Sequence, residues 1–456
     1  MKIVLTTHQF LPEYSAGTEV LTYETAKELQ RRGHEVDVWT GFPADPATAV
    51  KTPVTRYEYN GLPVYRYNHS YNVPLGGKDV LEYEYDNHLF AGHFMEYAKK
   101  ARPDVVHPFH MMRLSASLIS VCRELDIPVV FTPTDFWTIC PTCQLRLEDN
   151  SLCTGPDFLS VNCLRHRVEI SQPEAMKKKV RSMPALLLSM IILMSRIPRL
   201  FRKNQNLSHL RAASRRKEFI VGLLNEVDRI LAPTVFMQTI LVKNGVDRNK
   251  IRFIPYGLNL APFENQPAKE PHSKVRIGFM GTLYEHKGAH VLLKAVGLLP
   301  KEFPIEVKIY GKTDEFPDYV AMLKGLAGSD NRVEFLGNFS NDQIGKVFSG
   351  LDVLVVPSIW YENTPLVIYS ANASGTPVIA TNLGGMSEVV RHEKDGLLFE
   401  KGDFKGLSLL IKRLVDEKGL LEGLAKNITP PCSISGYVDE LEKTYNEILA
   451  LRRKQP

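Results

Sequence analysis

Pro357-Ser358-Ile359-Trp360-Tyr361-Glu362-Asn363-Thr364-Pro365-Leu366-Val367-Ile368-Tyr369-Ser370 is the stretch on which the reading of this chain turns. It leaves an apolar run at 352–356, crosses a polar loop and enters a helical segment at Thr364, with Pro365 suited to the first helical position. Unbonded amides and the positive dipole end at such a point favour a diphosphate. Glu362, just before it, can accept a hydrogen bond from a sugar hydroxyl. The same residues also describe an ordinary capped helix with a solvated glutamate. The sequence on either side decides between the two.

Outward from this segment, strands are expected at 275–281, 305–310, 332–336 and 377–381, with a helix at 289–299. Further upstream, 2–7 is an apolar strand, a loop holds Ala16-Gly17-Thr18, and 19–31 has helical spacing in Val20, Tyr23, Ala26 and Leu29. Strands follow at 35–41, 104–107, 128–132 and 227–233. Strand, loop, helix, strand is the opening of a parallel α/β sheet, and here it opens twice. The expected architecture is two Rossmann-like, doubly wound domains facing across a cleft. Their boundaries are 1–256 for the first and 257–436 for the second. A late helix at 437–456 crosses back to the first.

Length and composition suit this. At 456 residues, 44% hydrophobic and 23% charged, the chain has material for two globular cores. Its net charge of +5 conceals an uneven distribution, because 165–217 carries fourteen Lys or Arg against Glu169 and Glu174. Basic character confined to one stretch argues against nucleic acid as a partner. Within it, the apolar residues 184–194 lie between Lys177-Lys178-Lys179, Arg181 and Arg196, Arg199, Arg202, Lys203. Two readings of 176–217 stand open: contact with an anionic membrane surface, or a basic helical insertion folded against its own domain. The chain opens on Met1-Lys2-Ile3-Val4-Leu5 with no secretory signal, so the expected location is the cytoplasm, at the inner face of the membrane.

Downstream of the opening stretch, Gly375-Thr376-Pro377-Val378-Ile379 leads to Gly384-Gly385. With these residues the chain resembles the family-four retaining glycosyltransferases of GT-B fold. That family carries a Glu, seven residues, Glu signature, then a Gly-x-Pro-Val-Ile strand and a Gly-Gly turn. Gly17 to Glu19 is similar to the family's N-terminal glycine loop, Asp104-Val105-Val106-His107 to its Asp-Val-Val-His strand end, and Gly278 to Gly288 to its Gly-x-Leu-x-x-x-Lys-Gly segment. The resemblance implies donor-binding roles for Gly17, Thr18, Lys287, Gly311, Asn338, Asn363, Thr364, Pro365, Leu366 and Ser370. It implies catalytic roles for Glu362, His107 and His110, with His107 the direct match. Three positions depart from the pattern. Ser370 replaces the second signature Glu, Thr282 a common Arg, and Thr134 a common His before Asp135.

The implied reaction moves a sugar from a nucleotide-diphosphate donor to a sugar or lipid-linked acceptor, with retention of configuration and no cofactor needed for catalysis. A sugar-nucleotide epimerase of the same fold and a non-catalytic nucleotide-sugar binder are the alternatives. Cys140, Cys143, Cys153 and Cys163, in a loop at 140–163, either hold a structural zinc or iron or are reduced thiols.

Overall fold

The computed structural model describes the chain except residues 76–77, 148, 198–204 and 454–456, so Arg199, Arg202 and Lys203 of the basic stretch lie outside the described residues. The chain divides into unit 1, Met1–Pro255 with the residues from Tyr437 on, and unit 2, Tyr256–Gly436.

Unit 2 is a six-stranded, wholly parallel sheet. Its strands are β9 (Val275–Met280), β10 (Ile305–Tyr310), β11 (Val333–Gly337), β12 (Val353–Val356), β13 (Val378–Thr381) and β14 (Gly396–Phe399), in the order β11-β10-β9-β12-β13-β14. β12 shows why these apolar runs become strands buried on both faces. Val353 and Val355 enter one core with Ile277, Phe279 and Ile309, while Leu354 and Val356 enter another with Phe348 and Ile368. Alternate side chains of one strand thus serve opposite layers. The order reverses between β9 and β12, which makes the carboxyl ends of those two strands the place for a ligand.

Unit 1 has the same logic with additions. β1 (Lys2–Thr7) pairs in parallel with β2 (Glu35–Pro43) on one side and β5 (Val105–Pro108) on the other. A single bridge, Val106 to Val129, leads from β5 to a second small sheet of β6 (Val130–Phe131), β7 (Arg229–Ala232) and β8 (Ile251–Phe253). The antiparallel hairpin β3 (Val54–Tyr59) and β4 (Leu62–His69) borders β2 and was not anticipated. Its mark is Asn60-Gly61, both at positive φ, between alternating residues. The helix Gly17–Arg31 starts two residues earlier than its apolar spacing suggests. Between β6 and β7 the basic stretch forms the helices Val161–Ser171, Glu174–Ser182, Ala185–Ser195 and Gln205–Leu224.

The last helix, Ile434–Arg453, buries Tyr437, Val438, Leu441, Tyr445 and Ile448. Arg32, at the end of Gly17–Arg31, binds Asp439 and Glu442 on it at 2.6 Å each, and Arg452 reaches Asp228.

One glycine holds the unit 2 loops together. Gly288 has φ +77°, and a Cβ there would lie 1.9 Å from the Pro357 carbonyl oxygen. Gly288→Ala is therefore expected to destabilise unit 2 by on the order of 2 kcal/mol or more, from left-handed strain plus a backbone clash. Chemical denaturation of the variant beside the parent chain measures it.

Candidate functional site

At the end of β9 the chain makes one tight turn, Glu285–Lys287, before Gly288. The Ile359 amide donates to the His286 carbonyl at 2.9 Å, stitching this turn to the loop after β12. Lys287 Nζ consequently lies 2.7 Å from Glu362 Oε1, and Ser358 Oγ and Trp360 Nε1 donate to the same oxygen at 2.9 and 2.8 Å. The ammonium also sits 5.1 Å from the Trp360 ring centroid. None of these donors uses Oε2. Glu362 is only 6% exposed, and burial alone would raise its pKa. The Lys287 charge and hydrogen bond, helped by His286 and Trp360, outweigh that and hold it below the ordinary carboxylate value. The carboxylate is thus ionised at neutral pH.

The segment that follows differs by one residue from its sequence reading. Pro365 is the cap itself and Leu366 the first residue of the helix Leu366–Ala373, because Pro365 remains extended at ψ 118°. Its carbonyl accepts from the Ile368 amide at 2.9 Å. Asn363 Nδ2 donates to the Tyr256 hydroxyl at 2.8 Å, and Thr364 is buried. The Gly385 amide of the Gly-Gly turn donates to the Glu362 carbonyl at 2.9 Å. Ser370, buried one turn on, donates its hydroxyl to the Leu366 carbonyl at 3.1 Å, so it has only lone pairs left to offer a ligand. Gly311 donates to the Gly337 carbonyl at 2.8 Å, drawing together the ends of β10 and β11, and Asn338 follows as an exposed residue.

In unit 1, the order of strands reverses between β1 and β5, and a second polar cluster lies there. His107 does not belong to it. Its ring is fully buried, with Nδ1 2.5 Å from the Tyr445 hydroxyl and Nε2 2.8 Å from Thr132 Oγ1, so neither nitrogen can serve a substrate. This corrects the catalytic role that the strand-end resemblance implied. His110 is better placed. The Met112 amide donates to its Nδ1, which puts the proton on Nε2, 2.9 Å from Asp135 Oδ2 but out of hydrogen-bond alignment. The His8 and His110 rings are 4.2 Å apart, and His8 Nε2 is 3.6 Å from Glu19 Oε1. Glu19 is completely buried at the start of Gly17–Arg31, near Gly17 and Thr18, and neither carboxylate oxygen has an aligned partner. Burial raises its pKa against weaker opposing effects from its own amide, Gln9 and His110.

His8, Glu19, Ser358 and Trp360 were not among the residues singled out from sequence. An acidic residue in a first helical turn reads as a dipole partner, which concealed Glu19. The Ser358 and Trp360 donors become visible only once the loop is folded.

Cys140, Cys153 and Cys163 line a cavity of about 200 Å³ with His166, whereas Cys143, at φ 64°, is not in its wall. Among the described residues no group of three or more His, Cys, Asp or Glu is placed to hold a metal ion. Burial pushes the Cys163 thiol up to about 12. Elemental analysis separates a loop that closes on zinc or iron from four reduced thiols.

Two parallel-sheet, Rossmann-like units, each with polar groups at its strand-order reversal, define the GT-B class of glycosyltransferase folds. Residues 262–429 match the family model described as glycosyl transferases group 1, and residues 15–146 the model of glycosyltransferase family 4. Over its full length the chain is similar in structure to Anabaena HepE solved with UDP-glucose, with a TM-score of 0.63, 18% identity and coverage of 98% of this chain and 100% of that one. It is also similar to sucrose-phosphate synthase from Thermosynechococcus elongatus, with a TM-score of 0.62, 18% identity and coverage of 99% and 98%. A D-inositol 3-phosphate glycosyltransferase of Rhodococcus jostii is 30% identical over 217 residues, 44% of this chain and 47% of that protein. An uncharacterized glycosyltransferase of Methanocaldococcus jannaschii is 30% identical over 149 residues, 33% and 38%. The matches thus span less than half the length of these two curated relatives. The chain belongs to the family-four-like glycosyltransferases of GT-B fold.

The buried His107 has a measurable signature. Burial lowers its folded pKa from 6.5 to about 3. The unfolded chain therefore takes up this proton first as pH falls, and the fold loses stability across that window. His107→Gln, which keeps a donor and an acceptor, is expected to flatten the fall in denaturation midpoint between those two pH values.

Proposed function

We propose that the chain transfers a sugar from a nucleoside-diphosphate sugar to a hydroxyl acceptor with retention of anomeric configuration, in the assembly of a cell-surface polysaccharide or glycolipid. The observation that carries this reading is the convergence of Lys287, Ser358 and Trp360 on one oxygen of Glu362, immediately before the helix Leu366–Ala373. Such a carboxylate is fixed and ionised, suited to accept from a sugar hydroxyl. Lys287 and the first-turn amides are suited to the diphosphate, whose charge grows as the glycosidic bond breaks. HepE was solved with UDP-glucose, so UDP-glucose heads the donor screen for this chain.

Retention follows in this reading from attack on the same face as the departing diphosphate, which takes the acceptor proton. The Glu19 carboxylate, weakly hydrogen-bonded and flanked by His8 and His110, is the group in unit 1 suited to an acceptor hydroxyl. The commitment of the Ser370 hydroxyl to its own helix favours a second reading, a nucleotide-sugar binder without turnover. Release of nucleoside diphosphate from donor and acceptor separates the two, and the anomeric proton coupling of the product reports retention.

Glu362→Gln is expected to lower transfer about ten- to a hundredfold, because a charge-assisted hydrogen bond of about 1.5–3 kcal/mol becomes a neutral one. Transfer at the parent rate by a folded variant would remove Glu362 from the reaction. Glu19→Gln is expected to raise the acceptor KM while leaving thermal stabilisation by UDP unchanged. A shift in UDP stabilisation instead would place Glu19 on the donor.

A further inference from the structure

The helix Ala185–Ser195 is apolar on every side, yet only one side of it is covered. Leu188, Ile192 and Ser195 form a buried stripe, of which Leu188 and Ile192 pack with Leu159, Val161, Leu164, Leu210 and Ala213. On the opposite side Leu186 is 76% exposed and Met190 54%, and Leu187, Leu193 and Met194 are exposed beside them. At 3.6 residues per turn these five fall on one continuous face, the reverse of the packed stripe. An outward row of large apolar side chains is costly in water unless something covers it.

The charges around this face indicate what covers it. Arg181 is held by Glu169 and Glu174, and Arg196 by Glu218. Lys178 and Lys179 project from the preceding helix, Glu174–Ser182, with no carboxylate partner among the described residues. Exposed basic residues without counter-charges, on the helix immediately before an apolar one in the chain, complement a surface that is anionic outside and hydrocarbon beneath. No helix among the described residues is long and apolar enough to cross a membrane, so the contact is one of lying on the bilayer.

We propose that the Leu186, Leu187, Met190, Leu193 and Met194 face of Ala185–Ser195 docks on an anionic lipid bilayer, with Lys178 and Lys179 at the headgroups. This surface is separate from the residues assigned to sugar transfer and stands or falls independently of that assignment.

The test is co-sedimentation of the full chain with phosphatidylcholine vesicles, with and without phosphatidylglycerol. The chain is expected to pellet with the phosphatidylglycerol vesicles and to be released by high salt. Leu186→Glu with Met190→Glu should weaken partition at least about tenfold. Lys178→Glu with Lys179→Glu should weaken it at least about fivefold per lysine, on anionic vesicles only. Unchanged melting curves would show both variants folded, as expected for four exposed side chains. Failure of the parent chain to bind anionic vesicles overturns the proposal, and so does binding that neither double variant reduces. Self-association without vesicle binding, broken by Leu186→Glu, assigns the face to a second copy of the chain and overturns it equally.

Discussion

A buried carboxylate is tolerable only when opposite charge and hydrogen bonds replace the water it has lost. Glu362 meets that condition on one oxygen, through Lys287, Ser358 and Trp360, and the rest of unit 2 is arranged around it. Lys287 arrives from the end of β9, Ser358 and Trp360 from the end of β12. The Gly385 amide, from beyond β13, fixes the main chain at Glu362 itself. Three loops from three neighbouring strands are thereby set in register. Gly288 lets two of them approach to a distance that no side chain would permit. Removing one partner of such a set leaves the others buried and unpaired, so its parts act together rather than additively.

Unit 1 solves the same geometric problem with the opposite electrostatic outcome. Glu19 occupies the corresponding place, beside a reversal of strand order, but its oxygens have no aligned donor. His8 and His110 stand nearby without closing on it. Fully satisfied polar groups build a fold, whereas a buried group with only weakly aligned partners can accept more from an incoming hydroxyl. Unit 2 thus holds its carboxylate preorganised and charged, whereas in unit 1 burial raises the pKa of the carboxylate.

Much of this architecture was legible in the sequence because parallel strands buried on both faces are short, nearly uninterrupted apolar runs, and 275–281, 305–310 and 377–381 stand out as such. Glu362 and Lys287 were singled out through the resemblance to the family-four signature, since on their own residues each reads equally well as an ordinary solvated side chain beside a helix start. The β3 and β4 hairpin was missed although Asn60-Gly61 marks it, since its strands mix Arg56, Glu58 and Arg66 with tyrosines and lack a clean apolar face. His107 was misread for a different reason. A strand-end histidine looks alike whether it faces a ligand or a tyrosine, and its partner, Tyr445, lies 338 residues further along the chain.

That separation also bears on how the molecule is made. Unit 2 is one uninterrupted segment, but unit 1 is written in two pieces with all of unit 2 between them. On the ribosome, β1 to β8 emerge first and yet lack the helix that carries Tyr437 and Tyr445. Their places in the core are left uncovered until Ile434–Arg453 has been synthesised. Unit 2 can close on itself as soon as it is complete. The half of the chain that is begun first is therefore finished last, and while translation proceeds the ring of His107 waits for a hydroxyl that has not yet been made.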